Sequence, residues 1–255
     1  MNASCNLVLS GGGTRGYSHI GVIAALLQKG VCVSAISGAS CGAVVGAFIC
    51  DGFHPVEIGE ILLKHEPELG FNYTRFWKNL MSFDAYARIL KTNLRSKTFE
   101  DLEKPLYVAV TDLNNGCQAV ISKGNILEAL IASTAVPVLL PPYYINGVPY
   151  ADGSLSNNLP VEPFMNSTEK IIGVHANPIP DFDPGIGMMQ GIDRSLHLIM
   201  RQLILKNSRH CDVFIEAPAL KTHQLFESKK TMDLINIGYN HVMNEVDLSS
   251  LKNVT

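Results

Sequence analysis

The sequence predicts an α/β fold assembled from parallel βαβ units, and three observations carry that prediction. Short, continuously apolar runs of strand type alternate with helical stretches from the first residues onward. Glycines punctuate the joints, and the links between the first elements are too short for anything but a tight crossover.

"CNLVLS" (5–10) is an apolar run ending in three glycines, the pattern of a buried strand followed by a turn. In "TRGYSHIGVIAALLQKG", Ile20, Ile23, Ala24 and Leu27 fall at helical spacing and the pattern stops at Gly30. "VCVSAIS" (31–37) reads as a second strand, and "CGAVVGAFICDG" as a second helix closing at Gly52. Residues 54–100 hold amphipathic helical pieces, "VEIGEILLKH", "TRFWKNLM" and "FDAYARILKTNL", broken by Pro67, Gly70 and Asn72. Strands follow at 106–113 and 117–122, joined by "NNG", a hairpin signal. "NILEALIAST" is helical, and two short strands flank "NGV" (146–148) as a second hairpin. "KIIGVHA" (170–176) is another buried strand, followed by a helix over 188–209, the strand "CDVFIEAP" and a last helix over 230–246. With no repeat, low-complexity linker or charge block, a single domain over 1–255 is expected.

Composition narrows the function. The chain is 47% hydrophobic and 17% charged with a net charge of −3, a globular mixture without the basic footprint of a nucleic-acid binder. Its six cysteines form no CxxC motif and no metal-ligand spacing, so neither a metal nor another cofactor is expected. Five of them sit in apolar or small-residue runs, which predicts buried, reduced thiols and a cytoplasmic setting. The N-terminus reads as a strand rather than a signal peptide, and no apolar stretch approaches the roughly 20 residues of a membrane span. Peripheral membrane contact stays open.

"SGASCGAVVGAF" (37–48) places Ser40 between Gly38 and Gly42 at a strand-to-helix joint. A nucleophile on so sharp a turn is pushed out of the sheet edge, and the residues two before and two after it must be small. A packing turn whose serine merely caps the next helix fits the same letters. "GGGTRG" (11–16) offers backbone amides, those of Gly11, Gly12 and Gly13 among them, at the start of a helix, suited to a developing oxyanion. It also matches the dinucleotide pattern through Gly11, Gly13 and Gly16, but no acidic residue closes the second strand. For a base, Asp152 in "YADGSLSNNLP" follows a strand directly, although an ordinary turn aspartate reads alike. Of His175, His197, His210, His223 and His241, only His175 ends a strand.

In order along the chain, "GGGTRG", "GASCG", "ASTAVPVLLPP" and "DGSLSNNLPV" resemble the patatin-like phospholipase family, its short bacterial members in particular. The resemblance covers nearly the whole chain. It implies a three-layer α/β/α fold with a mainly parallel central sheet and a Ser–Asp dyad: Ser40 as nucleophile, Asp152 as base and the amides of Gly11, Gly12 and Gly13 as oxyanion hole. It further implies Arg15 and Gly16 as support for that loop, with Gly38 and Gly42 shaping the nucleophile's turn. Arg15 either steadies the loop or faces the acyl or phosphate group. Where the family has Asp-Gly-Gly or Asp-Gly-Ala, this chain has Asp152-Gly153-Ser154, and Cys41 beside the serine is also unusual. The implied activity is hydrolysis of fatty-acyl esters, of phospholipase, lysophospholipase or carboxylesterase type. Acyl transfer and acyl-binding regulation are the alternatives. The aromatics Phe71, Tyr73, Phe76, Trp77, Phe83 and Tyr86, with Leu80 and Met81, make 54–100 a candidate cover over the serine or simply helices packed on the sheet.

Overall fold

Leu7, Val8 and Leu9 are all fully buried, and consecutive strand residues point to opposite faces, so the sheet that holds them is covered on both sides. The computed structural model describes residues 3–69, 83–137, 139–182, 184–185, 187–223 and 230–251. Its strands are β1 (Ala3–Leu9), β2 (Val31–Ala39), β3 (Leu106–Asp112), β4 (Cys117–Ile121), β5 (Tyr143–Ile145), β6 (Val148–Asp152), β7 (Lys170–His175) and β8 (Val213–Glu216). They form one eight-stranded sheet in the order β5-β6-β3-β2-β1-β7-β8, with β4 also paired to β3. The run from β3 through β2, β1 and β7 to β8 is parallel, and β4, β5 and β6 join antiparallel. The hairpin between β5 and β6 turns on Asn146 and Gly147, both at positive φ, as an Asn-Gly turn requires.

The helices among the described residues are α1 (Ser18–Gln28), α2 (Cys41–Cys50), α3 (Pro55–Leu69), α4 (Phe83–Asn93), α5 (Ile126–Ser133), α6 (Met188–Asn207) and α7 (Thr231–Asn244). Leu7, Leu9 and Ile36 meet α1, α2 and α5 in the larger core, through Ile23, Phe48 and Leu130 among others. Val8 and Ala35 face the other way, onto Leu159, Val161, Phe164 and Ile204 of α6. This is the three-layer arrangement expected, with each fully buried Leu or Ile contributing roughly 1.5–3 kcal/mol.

The segment 54–100 contributes to the larger core. Ile58 and Leu62 of α3 and Leu90 of α4 are buried in it. Pro67, expected to break the first helix, lies inside α3, which runs on to Leu69. Phe71, Tyr73, Phe76, Trp77, Leu80 and Met81 lie outside the described residues. No helix among those described is long and apolar enough to cross a membrane.

The cysteine expectation needs correction. All six thiols are free: Cys5 and Cys50 are buried and Cys41 and Cys211 half-buried, whereas Cys32 and Cys117 are exposed. Cys32 lies between the buried Val31 and Val33 and so takes the outward position of β2, a consequence of strand alternation that an apolar run conceals.

Two glycines bring α1 and α7 into backbone contact. A Cβ on Gly21 would stand 1.8 Å from the Ile235 carbonyl oxygen, and one on Gly238 would stand 2.1 Å from that of Ser18. Replacing Gly21 by Ala must therefore drive the helices apart, and we expect a loss on the order of 3 kcal/mol by urea denaturation. Gly116→Ala is the control. Its Cβ meets nothing within 4 Å, so only the positive φ is strained, and about 1 kcal/mol is expected.

Candidate active site

The site is assembled on one edge of β3. β4 occupies the other edge over residues 108–112, so β2 and β6 must share the first. β2 arrives parallel, with Ala39 opposite Ala109, and β6 arrives antiparallel, with Asp152 opposite Val110. The two strands meet end to end at consecutive residues of β3, which brings Ser40 and Asp152 together across a sequence gap of more than a hundred residues.

Ser40 has φ 51° and ψ −126°, a left-handed turn out of β2 into α2. Such a conformation costs a non-glycine residue on the order of 1–3 kcal/mol. The flanking glycines permit it. A Cβ on Gly42 would lie 2.4 Å from the Leu9 carbonyl oxygen, and one on Gly38 would lie 2.7 Å from that of Gly42. The Ser40 carbonyl accepts the first helical bonds, from Ala43 N–H and Val44 N–H, but its side chain caps nothing. The hydroxyl instead lies close enough to the Asp152 carboxyl to lower its pKa. The helix-capping alternative is thereby answered.

Asp152 is 3% exposed, and its N–H, carbonyl and Oδ1 are all hydrogen-bonded. Its N–H donates to the Ala135 carbonyl at 3.0 Å, and its own carbonyl accepts from Thr111 Oγ1 at 2.8 Å. The Ser154 N–H donates to its Oδ1 at 2.8 Å. Gly153 is obligatory, since a Cβ there would stand 2.1 Å from the Ala109 carbonyl oxygen. Burial pushes the carboxyl pKa up, while the bonds from the Ser40 hydroxyl and from the N–H and side chain of Ser154 work against that rise. Ser154, the departure from the family pattern, thus bonds the aspartate directly.

The glycine loop abuts the same point, for a Cβ on Gly11 would lie 3.0 Å from that of Ser40 and 2.1 Å from Ser154 Oγ. Its peptides are held by buried side chains. Gly11 N–H donates to Asn158 Oδ1 at 2.7 Å, and the Gly11 carbonyl accepts from Asn177 Nδ2 at 3.0 Å and Ser10 Oγ at 2.9 Å. His19 Nε2 bonds the Ser10 carbonyl at 2.8 Å. The Gly11 amide is therefore committed, which narrows the expected donors to Gly12 and Gly13. Neither of those amides bonds another backbone or side-chain group among the described residues. Gly13 opens a 3-10 turn, Gly13–Tyr17, with φ 53°. Gly16 lies against Cys41, where a Cβ would come within 2.6 Å of the sulfur. The buried Arg15 donates through Nε at 2.9 Å, and through Nη2, to the His223 carbonyl, which ties the loop to a distant turn. Burial pushes the Cys41 thiol up to about 12, so it stays protonated beside the serine.

Two of the histidines weighed as bases, His175 and His241, are engaged with carboxylates. His175 Nδ1 bonds Glu216 at 2.6 Å, and Arg201 bonds the same carboxylate. His241 bonds Glu245, and His223 supplies its carbonyl to Arg15. Among the described residues no group of three His, Cys, Asp or Glu could hold a metal ion. Four residues that position the site, His19, Ser133, Asn158 and Asn177, had no role in the sequence reading. Only Ser133 and Asn158 fall within motifs already noted.

The chain is thus a three-layer α/β fold with a strained serine elbow beside a buried aspartate and a glycine loop. Residues 7–165 match the patatin-like phospholipase family, and the chain belongs to it. It is 27% identical over 190 residues to the protein R571 of Acanthamoeba polyphaga mimivirus, covering 66% of this chain and 64% of that one. With the lysophospholipase NTE1 of Candida albicans it shares 28% identity over 190 residues, covering 72% of this chain but 14% of the larger protein. The chain thus spans less than two thirds of either relative. Among solved structures, VipD from Legionella pneumophila superposes with a TM-score of 0.55 at 15% identity, over 95% of this chain and 66% of that one, a likeness of fold.

His19 makes the loop's support sensitive to acid. It is fully buried, and burial lowers its pKa from 6.5 to about 4. The unfolded chain therefore takes up a proton below pH 6.5 that the folded chain refuses until about pH 4. Stability contributed by neutral His19 is complete above that window and declines through it, by roughly 3 kcal/mol in total. Urea denaturation between pH 7 and 4 should show this decline, and His19→Gln should reduce its slope by about one proton.

Proposed function

We propose that the protein is a serine acyl hydrolase, of phospholipase A, lysophospholipase or carboxylesterase type, working through an acyl-Ser40 intermediate with Asp152 as its base. The observation that carries this reading is the Ser40 hydroxyl, on a strained turn, set beside the buried Asp152 carboxyl, with two glycine amides that bond no other group among the described residues. The chemistry follows from those groups. Ser40 Oγ attacks the ester carbonyl as its proton passes to Asp152. The oxyanion is met by the amides of Gly12 and Gly13, with the loop held rigid behind them. Asp152 then gives the proton to the departing alcohol. Water, deprotonated by the same carboxylate, attacks the acyl-serine, and the proton returns to Ser40.

Energetics favour an enzyme over an acyl-binding regulator. A buried carboxylate and a serine at φ 51° both cost stability, and a binding protein gains nothing from either. The patatin-like family to which the chain belongs supports the same conclusion.

Hydrolysis of 4-nitrophenyl esters of graded chain length tests the proposal. Ser40→Ala and Asp152→Asn should each reduce turnover at least about a thousandfold. Retention of activity by either variant would defeat the dyad.

The Asp152 carboxylate must be ionised to act as base. Because its pKa is raised, the rising limb of kcat/KM should lie at higher pH than for an ordinary aspartate. The same rise is a stability cost: the contribution present below the unfolded carboxyl pKa is lost as pH climbs through the folded one. Asp152→Asn removes that cost, so its Tm at pH 7 should match or exceed that of the wild type.

A further inference from the structure

The motif "ASTAVPVLLPP" has no part in the chemistry above, yet its first residues touch both members of the Ser40–Asp152 pair. Ser133, the last residue of α5, is completely buried. Its Oγ accepts the Ser40 N–H at 2.9 Å and donates to the Ala109 carbonyl at 2.7 Å. Two residues further on, the Ala135 carbonyl accepts the Asp152 N–H at 3.0 Å. The end of α5 therefore grips the backbone of the serine and of the aspartate at the place where β2 and β6 meet on β3.

We propose that Ser133 is a positioning residue for the reaction, its hydroxyl interposed between the Ser40 peptide and β3 so that the turn holds its left-handed form. Ser40 is where β2 leaves the sheet, and beyond Ala109 the edge of β3 belongs to β6. The Ser40 N–H thus sits at a junction where two strands compete for one edge, and a side chain supplies its acceptor. That bond fixes the peptide from which Ser40 Oγ projects toward the carboxylate. A buried N–H and carbonyl deprived of their shared partner will shift to find others, and a displacement near 1 Å at a reacting atom costs about a hundredfold in rate. The inference rests on Ser40 as nucleophile.

The test compares wild type, Ser133→Ala and Ser40→Ala in ester hydrolysis and in the rate of covalent labelling by a fluorophosphonate. For Ser133→Ala, kcat and the labelling rate should fall together by about ten- to a hundredfold, with KM within about twofold and the circular dichroism of the folded protein unchanged. If Ser133→Ala does not fold, Ser133→Cys replaces it, since the thiol keeps the volume but bonds weakly, and a loss of about threefold or more is then expected. A smaller fall in kcat in folded protein, or one confined to KM, overturns the role of Ser133. Activity surviving in Ser40→Ala overturns the underlying reading instead, so the two failures are told apart.

Discussion

One edge of a single strand serves two others, and the site exists because of it. β3 gives its edge to β2 up to Ala109 and to β6 from Val110 onward. Strands that approach end to end along one edge must stop where they meet, and each stops at a member of the proposed dyad. Ser40 leaves by a left-handed turn, and Asp152 leaves through Gly153, packed against the Ala109 carbonyl. No loop has to fold back to join the hydroxyl and the carboxylate, because backbone pairing sets their separation.

Around that junction the protein trades stability for geometry. The serine's backbone is strained, the aspartate is buried against its preference for water, and His19 is held neutral with its Nδ1 unbonded. What offsets these costs is close packing: backbone against backbone at Gly42, Gly153 and the Gly21–Gly238 crossing, and continuous cores on both faces of the sheet. Buried polar side chains complete the support. Ser10, Asn158 and Asn177 occupy the polar groups of Gly11, while Arg15 ties the loop to the turn at His223. Among the described residues the amides of Gly12 and Gly13 bond no other group.

Much of this was legible in local sequence. The elbow could be read because steric demand at a sharp strand-to-helix turn admits only small neighbours, and Gly38 and Gly42 meet it. The hairpin at Asn146-Gly147 was legible for a similar reason, positive φ at two successive residues. The exposure of Cys32 was not legible, because an apolar run does not say which of its alternating residues face outward. The local sequence offers the Gly11 amide as a donor, although Asn158, 147 residues away, already holds it. His19 and Asn177 gave no signal, since each bonds a backbone group rather than completing a motif.

By itself the sequence determined the order of strands and helices, the βαβ start, the family pattern and the candidates for the site, because these depend on periodicity, small-residue sterics and side-chain chemistry over short spans. Only the tertiary structure decided that β2 and β6 share an edge, that Asp152 rather than His175 faces the serine, and which glycine amides stay open. Those facts arise from pairing between segments far apart in the chain, where hydrogen-bond partners and burial depend on register and packing rather than on neighbouring letters.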